Sequence, residues 1–195
     1  MTLSKPNIQL AIFASGGGSN AEKIIRHFKE HPFISVGLII YNRIDAGVKR
    51  FGVEYDIPAV YWPGKKMHDR SATLSMLSFY KIDGLVLAGY LAMIPPYLIQ
   101  AFPDKILNIH PALLPEFGGH GMYGHFVHEA VSASGKDQSG ITVHLVNNEY
   151  DKGRIIFQHS IPVPPFQDPL IIAESVLKIE HRYYPGVIES YFSEI

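Results

Sequence analysis

The stretch "IQLAIFASGGGSNAEKIIRHFKEH" (8–31) decides the fold class. Its first part, 8–15, is a short apolar run ending at three glycines, which reads as a buried strand. Its second part, 19–31, places apolar residues at 21, 24, 25 and 28, the spacing of one helix face. The glycines between them let backbone approach a ligand, and the free N–H groups that open the helix favour an anion such as phosphate. A strand followed by a glycine turn and a helix is the opening unit of a parallel α/β sheet, because a parallel neighbour can be reached only through a crossover of helical length.

The unit then repeats. "ISVGLIIY" (34–41) is a second strand and "AGVKRFGVEY" (46–55) a short helix; "AVYW" (59–62) is a third strand, and "HDRSATLSMLSFYK" (68–81) a helix with Leu74, Leu77 and Tyr80 turned inward. "GLVLAG" (84–89) and "KILNIH" (105–110) are the fourth and fifth strands, with the proline-opened helix "IPPYLIQAF" (94–102) between them. After residue 135 the pattern changes. "SGITVHLV" (139–146) and "RIIFQHSIPV" (154–163) are joined by "NNEYDKG" (147–153), too short for a crossover helix, so the two strands are predicted to be antiparallel. Residues 168–192 are predicted to be helical with a break near Pro185. With no repeat or linker, residues 1–195 read as one domain: α/β, Rossmann-like, a mostly parallel sheet with a mixed, antiparallel C-terminal edge. Ligands of such sheets bind beyond the carboxyl ends of the strands, where 15–18, 88–89, Asn108 and His110 fall.

Bulk composition narrows the function classes. A formal charge of -1 gives no general attraction to nucleic acid or to an anionic membrane. The absence of cysteine excludes disulfides and thiolate metal sites and makes the cytoplasm the expected compartment. No secretory leader is expected at the N-terminus, and no apolar stretch reaches the roughly 20 residues of a membrane helix.

Three groups of residues carry candidate chemistry. In "LNIHP" (107–111), Asn108 and His110 are two apart and so share a strand face. They are either a hydrogen-bonded core pair or an oxyanion donor beside a proton carrier. "NNEYDKG" offers Glu149 and Asp151 as carboxylates for that histidine, although Asp-Lys-Gly is also ordinary turn chemistry. Gly16, Gly18 and Ala21 satisfy a dinucleotide-loop pattern, but strand two closes on Tyr41, Asn42 and Arg43 with only Asp45 nearby to hold a ribose, so phosphate binding is the stronger reading. His120, His125 and His128 match no zinc motif and are predicted to be loop and helix-surface residues; no serine-nucleophile motif is present. "AGYLAMIPP" (88–96) is either core or the wall of an apolar slot.

Taken together, "ASGGGSN" (14–20), "LAGYLAMI" (87–94), "LNIHPALLP" (107–115), "GITVHLVNNEYDKGRII" (140–156) and "IEHRYYP" (179–185) resemble, in order and over nearly the whole chain, the folate-dependent formyltransferases. "SGGGSN" narrows the resemblance to the phosphoribosylglycinamide branch. The resemblance implies transfer of a formyl group from 10-formyltetrahydrofolate, a cosubstrate, to the amine of 5-phosphoribosylglycinamide in de novo purine biosynthesis. It implies no metal, no nucleic acid or membrane partner, and a monomer or homodimer. Asn108, His110 and Asp151 match the catalytic trio, and Thr142 and His144 match supporting polar positions. Gly17, Gly18, Ser19 and Asn20 match the substrate phosphate and ribose loop, and Glu180 an acid that holds the glycinamide. Leu91, Ala92, Met93 and Ile94, with Asn108, Asn147, Asn148, Glu149, Tyr150 and Asp151, match the folate pocket, and Arg70 a pterin- or tail-side contact. In the catalytic trio Asp151 is expected to raise the pKa of His110 and keep it charged.

The chain departs from commoner members at Ala92, where a basic residue is frequent, and in the loop 115–124 with Glu116 and His120, which bears on folate-tail contact and loop closure. Formyltransferases acting on methionyl-tRNA or sugar nucleotides, a formyltetrahydrofolate deformylase, and a non-catalytic folate or nucleotide binder are the alternatives. A tRNA enzyme would be expected to carry a further domain and a basic surface.

Overall fold

The computed structural model describes residues 7–195. In chain order the elements are β1 (Ile8–Ala14), α1 (Ser19–Phe28), β2 (Ile34–Tyr41), a 3-10 turn (Gly47–Lys49) running into α2 (Arg50–Glu54), β3 (Ala59–Tyr61), α3 (Gly64–Met67) and α4 (Arg70–Phe79). They continue with β4 (Gly84–Leu87), α5 (Pro96–Ala101), β5 (Ile106–His110), α6 (His125–Ala133), β6 (Gln138–Leu145), β7 (Ile155–Pro162) and α7 (Pro169–Glu194). The seven strands form one sheet in the order β3-β2-β1-β4-β5-β6-β7. β1 to β5 are mutually parallel; β6 and β7 are antiparallel to each other, as the short link between them predicted, and β6 is also antiparallel to β5. The strand order reverses between β1 and β4, which opens the crevice used by ligands of doubly wound sheets.

Both faces of β1 are covered, so its sequence is apolar throughout rather than alternating. Leu10, Ile12 and Ala14 pack with Ile24, Phe28, Tyr184, Ile188 and Phe192 from α1 and α7. Ala11 and Phe13 pack on the other face with Leu77 of α4 and Leu98 of α5. Asp69 accepts the Ala72 N–H at 3.0 Å and starts α4 at Arg70, two residues later than the pattern suggested. Asp168 caps α7 in the same way through Leu170, with Pro169 in the first turn, where its missing N–H leaves no helical bond unmade.

The predicted break at Pro185 does not occur: α7 runs unbroken for 26 residues. A proline inside a helix forfeits one hydrogen bond and crowds the preceding turn, at about 3 kcal/mol. Packing on both sides of it outweighs that loss. Tyr184 is fully buried and its hydroxyl donates to the carbonyl of Leu87 at 2.9 Å, while Ile188 and Phe192 are at most 1% exposed. No helix among the described residues is long and apolar enough to cross a membrane.

Candidate active site

The carboxyl ends of β4 and β5 open onto a cleft of ≈ 660 Å³, closed on its other sides by Asn20 of α1, by α6 and α7, and by the segments 119–125 and 147–151. Sheet register explains the polar cluster at its base. Asn108 and His110 share a face of β5, and antiparallel pairing sets His144 opposite Asn108 and Thr142 opposite His110. The Asn108 amide Nδ2 donates to Nε2 of His144 at 3.1 Å. Thr142 is fully buried; its hydroxyl donates to the Ala112 carbonyl at 2.7 Å and accepts the Leu114 N–H at 3.0 Å, tying the loop after β5 to β6.

Asp151 reaches this cluster from the β6–β7 hairpin. Its backbone adopts a left-handed φ of 57°, the conformation that Asp tolerates in tight turns. So the turn reading of "NNEYDKG" holds, and the same turn carries the Asp151 carboxylate to His110. One carboxylate oxygen accepts the Gly119 N–H at 2.9 Å and lies 3.6 Å from His110 Nδ1; the other lies 3.5 Å from His144 Nε2. Gly153 makes the return possible, since a Cβ there would stand 1.7 Å from the Leu145 carbonyl oxygen.

Two carbonyls set the histidine tautomers, because a carbonyl only accepts. His110 Nε2 donates to Phe117 O at 2.8 Å, and His144 Nδ1 donates to Leu145 O at 2.8 Å. With Nδ1 engaged, His144 turns Nε2 toward Asn108 and Asp151, and His110 turns Nδ1 toward Asp151. Burial, the largest influence, pushes His110 below its ordinary pKa, and His144 adds to this; Asp151 and the Phe117 carbonyl pull upward without prevailing. The expectation of a His110 held charged by Asp151 is thus corrected: the carboxylate favours the charged form, but the dry position of the ring outweighs it. Asp151 is itself pushed up by burial, yet His144, His110 and the Gly119 N–H together bring its carboxyl below the usual value.

The opposite wall carries Asn20 and Glu180, 160 residues apart in sequence. Asn20 Nδ2 donates to Glu180 Oε2 at 2.6 Å, and burial pushes the Glu180 carboxyl up to about 7 against that hydrogen bond. Gly18 begins α1 at a φ of 80°, and a Cβ there would lie 2.7 Å from Val48, so glycine is required on two counts. Gly17 and Ser19 are exposed at the rim of the glycine turn and do not line the cleft. Leu91, Ala92, Met93 and Ile94 do, together with Val146, Asn147, Glu149 and Tyr150. Asn148 is exposed and turned away, and Arg70 is exposed at the start of α4, outside the cleft lining.

Sequence reasoning missed two backbone participants and the contact made by Ser15. The Phe117 carbonyl and Gly119 N–H are backbone groups of a loop whose path no pattern announces. Ser15, 3% exposed, accepts the Leu91 N–H and so joins the glycine turn to the apolar slot; its only signal was its place at a strand end. His128 corrects an expectation: it is 7% exposed and faces the cleft from α6, whereas His120 and His125 are exposed as predicted. Among the described residues no group of His, Asp and Glu is arranged to hold a metal ion.

Residues 8–188 match the family model described as formyl transferase. The chain belongs to the formyl transferase family. This formyl transferase is 43% identical over 186 residues to phosphoribosylglycinamide formyltransferase, chloroplastic, of Arabidopsis thaliana, an alignment covering 92% of this chain and 64% of that one. It is 33% identical to the phosphoribosylglycinamide formyltransferase of Bacillus subtilis, with 93% of each chain covered. It thus spans under two thirds of the chloroplast relative and nearly all of the bacterial one. The crystal structure of glycinamide ribonucleotide transformylase 1 from Geobacillus kaustophilus superposes with a TM-score of 0.84 at 33% identity, covering 93% of this formyl transferase and 97% of that chain.

Proposed function

We propose that this formyl transferase moves the formyl group of 10-formyltetrahydrofolate onto the amine of 5-phosphoribosylglycinamide, a step of purine synthesis, with residues 1–195 acting as one catalytic domain. The observation that carries the reading is the meeting of Asn108, His110 and Asp151 at one end of a cleft whose other wall presents Asn20 and Glu180. The apolar run Leu91, Ala92, Met93 and Ile94 supports a slot for the flat folate ring. The N–H groups opening α1 after the 16–18 turn suit the substrate phosphate.

In this reading the amine attacks the formyl carbon and negative charge develops on the formyl oxygen. The N–H of Asn108 not given to His144 and the Nε2–H of His110 donate to that oxygen, which replaces the Phe117 carbonyl as partner of His110. Asp151, 3.6 Å from His110 Nδ1, supports the charged form of the ring when negative charge builds beside it. As the intermediate collapses, the amine loses a proton, N10 of the folate gains one, and the C–N10 bond breaks. Glu180, half ionised near pH 7 and increasingly so above it, accepts from the glycinamide in its ionised form. The enzyme is assigned to the cytoplasm, from its cysteine-free composition, and to a monomer or homodimer.

The test is formyl transfer by the purified chain from 10-formyltetrahydrofolate to 5-phosphoribosylglycinamide, with the dephosphorylated riboside, a sugar-nucleotide amine and methionyl-tRNA as competing acceptors. Turnover is expected with the ribonucleotide, and far weaker binding of the riboside. Turnover with one of the other acceptors alone, or none with any, rejects the assignment.

A further inference from the structure

His128 has no part in the chemistry above, yet its surroundings constrain it closely. The side chain is buried on α6 and lines the cleft with His110, Leu177 and Glu180. Among the described residues its Nδ1 is buried without a hydrogen-bond partner, which leaves Nε2 as the ring nitrogen with access to the cleft. A proton on Nδ1 would bury an N–H donor with nothing to receive it, the rarest kind of unsatisfied polar group in proteins. The doubly protonated ring would add a charge to the same dry wall, facing His110. Burial and the neighbouring His110 hold the His128 pKa down to about 4. What remains near neutrality is an uncharged ring with a single donor, Nε2–H, turned to the cleft.

We propose that His128 is a substrate-positioning residue, a neutral imidazole whose Nε2–H donates to a carbonyl oxygen of the amine-bearing substrate and sets its amine before His110. The inference rests on the function proposed above. Its place in the cleft favours that substrate over the folate: α6 packs on α7, and the wall they form carries Leu177 and Glu180, whereas the apolar slot 91–94 opens from β4. Its lack of charge suits a neutral acceptor. A cation there would oppose any positive charge on His110, while a neutral donor orients the substrate without that penalty.

His128→Leu keeps bulk and removes the donor; His128→Gln returns an amide N–H close to the place of Nε2–H. Steady-state kinetics from pH 6 to 9 should show His128→Leu raising KM for 5-phosphoribosylglycinamide about tenfold, equivalent to about 1.4 kcal/mol. KM for 10-formyltetrahydrofolate should stay within about twofold and the pH profile should not move, as expected of a group that does not titrate in this range. His128→Gln should recover most of the loss. An unchanged ribonucleotide KM in His128→Leu, a displaced pH profile, or a Gln variant no better than Leu overturns the proposal. Nitrogen NMR of the wild-type ring needs neither turnover nor a variant: a neutral Nε2–H tautomer from pH 5 to 8 supports the proposal, and an imidazolium or an Nδ1–H tautomer there overturns it. A wild-type chain that transfers no formyl group to the ribonucleotide rejects the underlying function instead, so the two failures are told apart.

Discussion

Replacing Glu180 with Gln should change the pH dependence of stability in a direction opposite to that of an ordinary carboxylate. Glu180 is 7% exposed, and its nearest partner is the neutral amide of Asn20 at 2.6 Å. Burial therefore moves its carboxyl from an ordinary 4.5 to about 7. At roughly 1.4 kcal/mol per pH unit, that displacement corresponds to about 3 kcal/mol. Between about pH 4.5 and 7 the folded chain keeps a proton that the unfolded chain has released. The contribution of protonated Glu180 is whole below pH 4.5, declines as pH rises through 7, and is gone by about pH 8. Glu180→Gln keeps an oxygen for the Asn20 N–H and carries no ionisable group, so it lacks this decline. The assay is urea unfolding of both proteins from pH 4.5 to 8.5, taking the difference at each pH so that every other titrating group cancels. Wild type should lose about 3 kcal/mol relative to the variant across the range. A difference that is flat, or that favours wild type as pH rises, would refute the account of Glu180 as a carboxyl held protonated by burial.

The remaining expectations concern the base of the cleft. Asn108→Ala and His110→Ala should each lower kcat about 10²- to 10³-fold, the usual effect of losing an oxyanion donor, and near-normal turnover in either removes that residue from the mechanism. Asp151→Asn takes away the charge that favours protonated His110, so the limb of the single-turnover profile that needs His110 charged should move to lower pH and the rate at pH 7.5 should fall; superimposable profiles would make Asp151 a turn residue only. Gly153→Ala should destabilise the fold by roughly 2 kcal/mol or more in urea unfolding, because its Cβ would displace the Leu145 carbonyl that holds His144 Nδ1. A variant as stable as wild type would show that the hairpin yields freely.

Much of this architecture was legible in the sequence because it depends on short-range periodicity. The run 8–15 is apolar throughout because β1 is covered on both faces, and Ala21, Ile24, Ile25 and Phe28 fall on the buried face of α1. The seven-residue link 147–153 forced β6 and β7 to be antiparallel. Asn108 and His110 had to share a face because side chains in a strand alternate with a period of two. The roles expected of Thr142, His144 and Glu180 came from resemblance, since nothing in their spacing relates them to His110.

Other features were decided by parts of the chain that meet only in the folded protein. Asp151 is 41 positions from His110, and its bearing on that ring depends on sheet register, a left-handed turn residue and the close approach that Gly153 permits. The charge of His110 is set by a balance between burial and a nearby carboxylate, and composition measures neither. Pro185 stays within a helix because Tyr184, Ile188 and Phe192 are locked against the sheet, a gain that local propensity does not contain. His128 has the same helical setting in sequence as many surface histidines, and it became a buried cleft residue when α6 docked against α7. Backbone and side-chain periodicity determined which elements form and what each can present; long-range packing and desolvation determined which groups meet and in what state of charge.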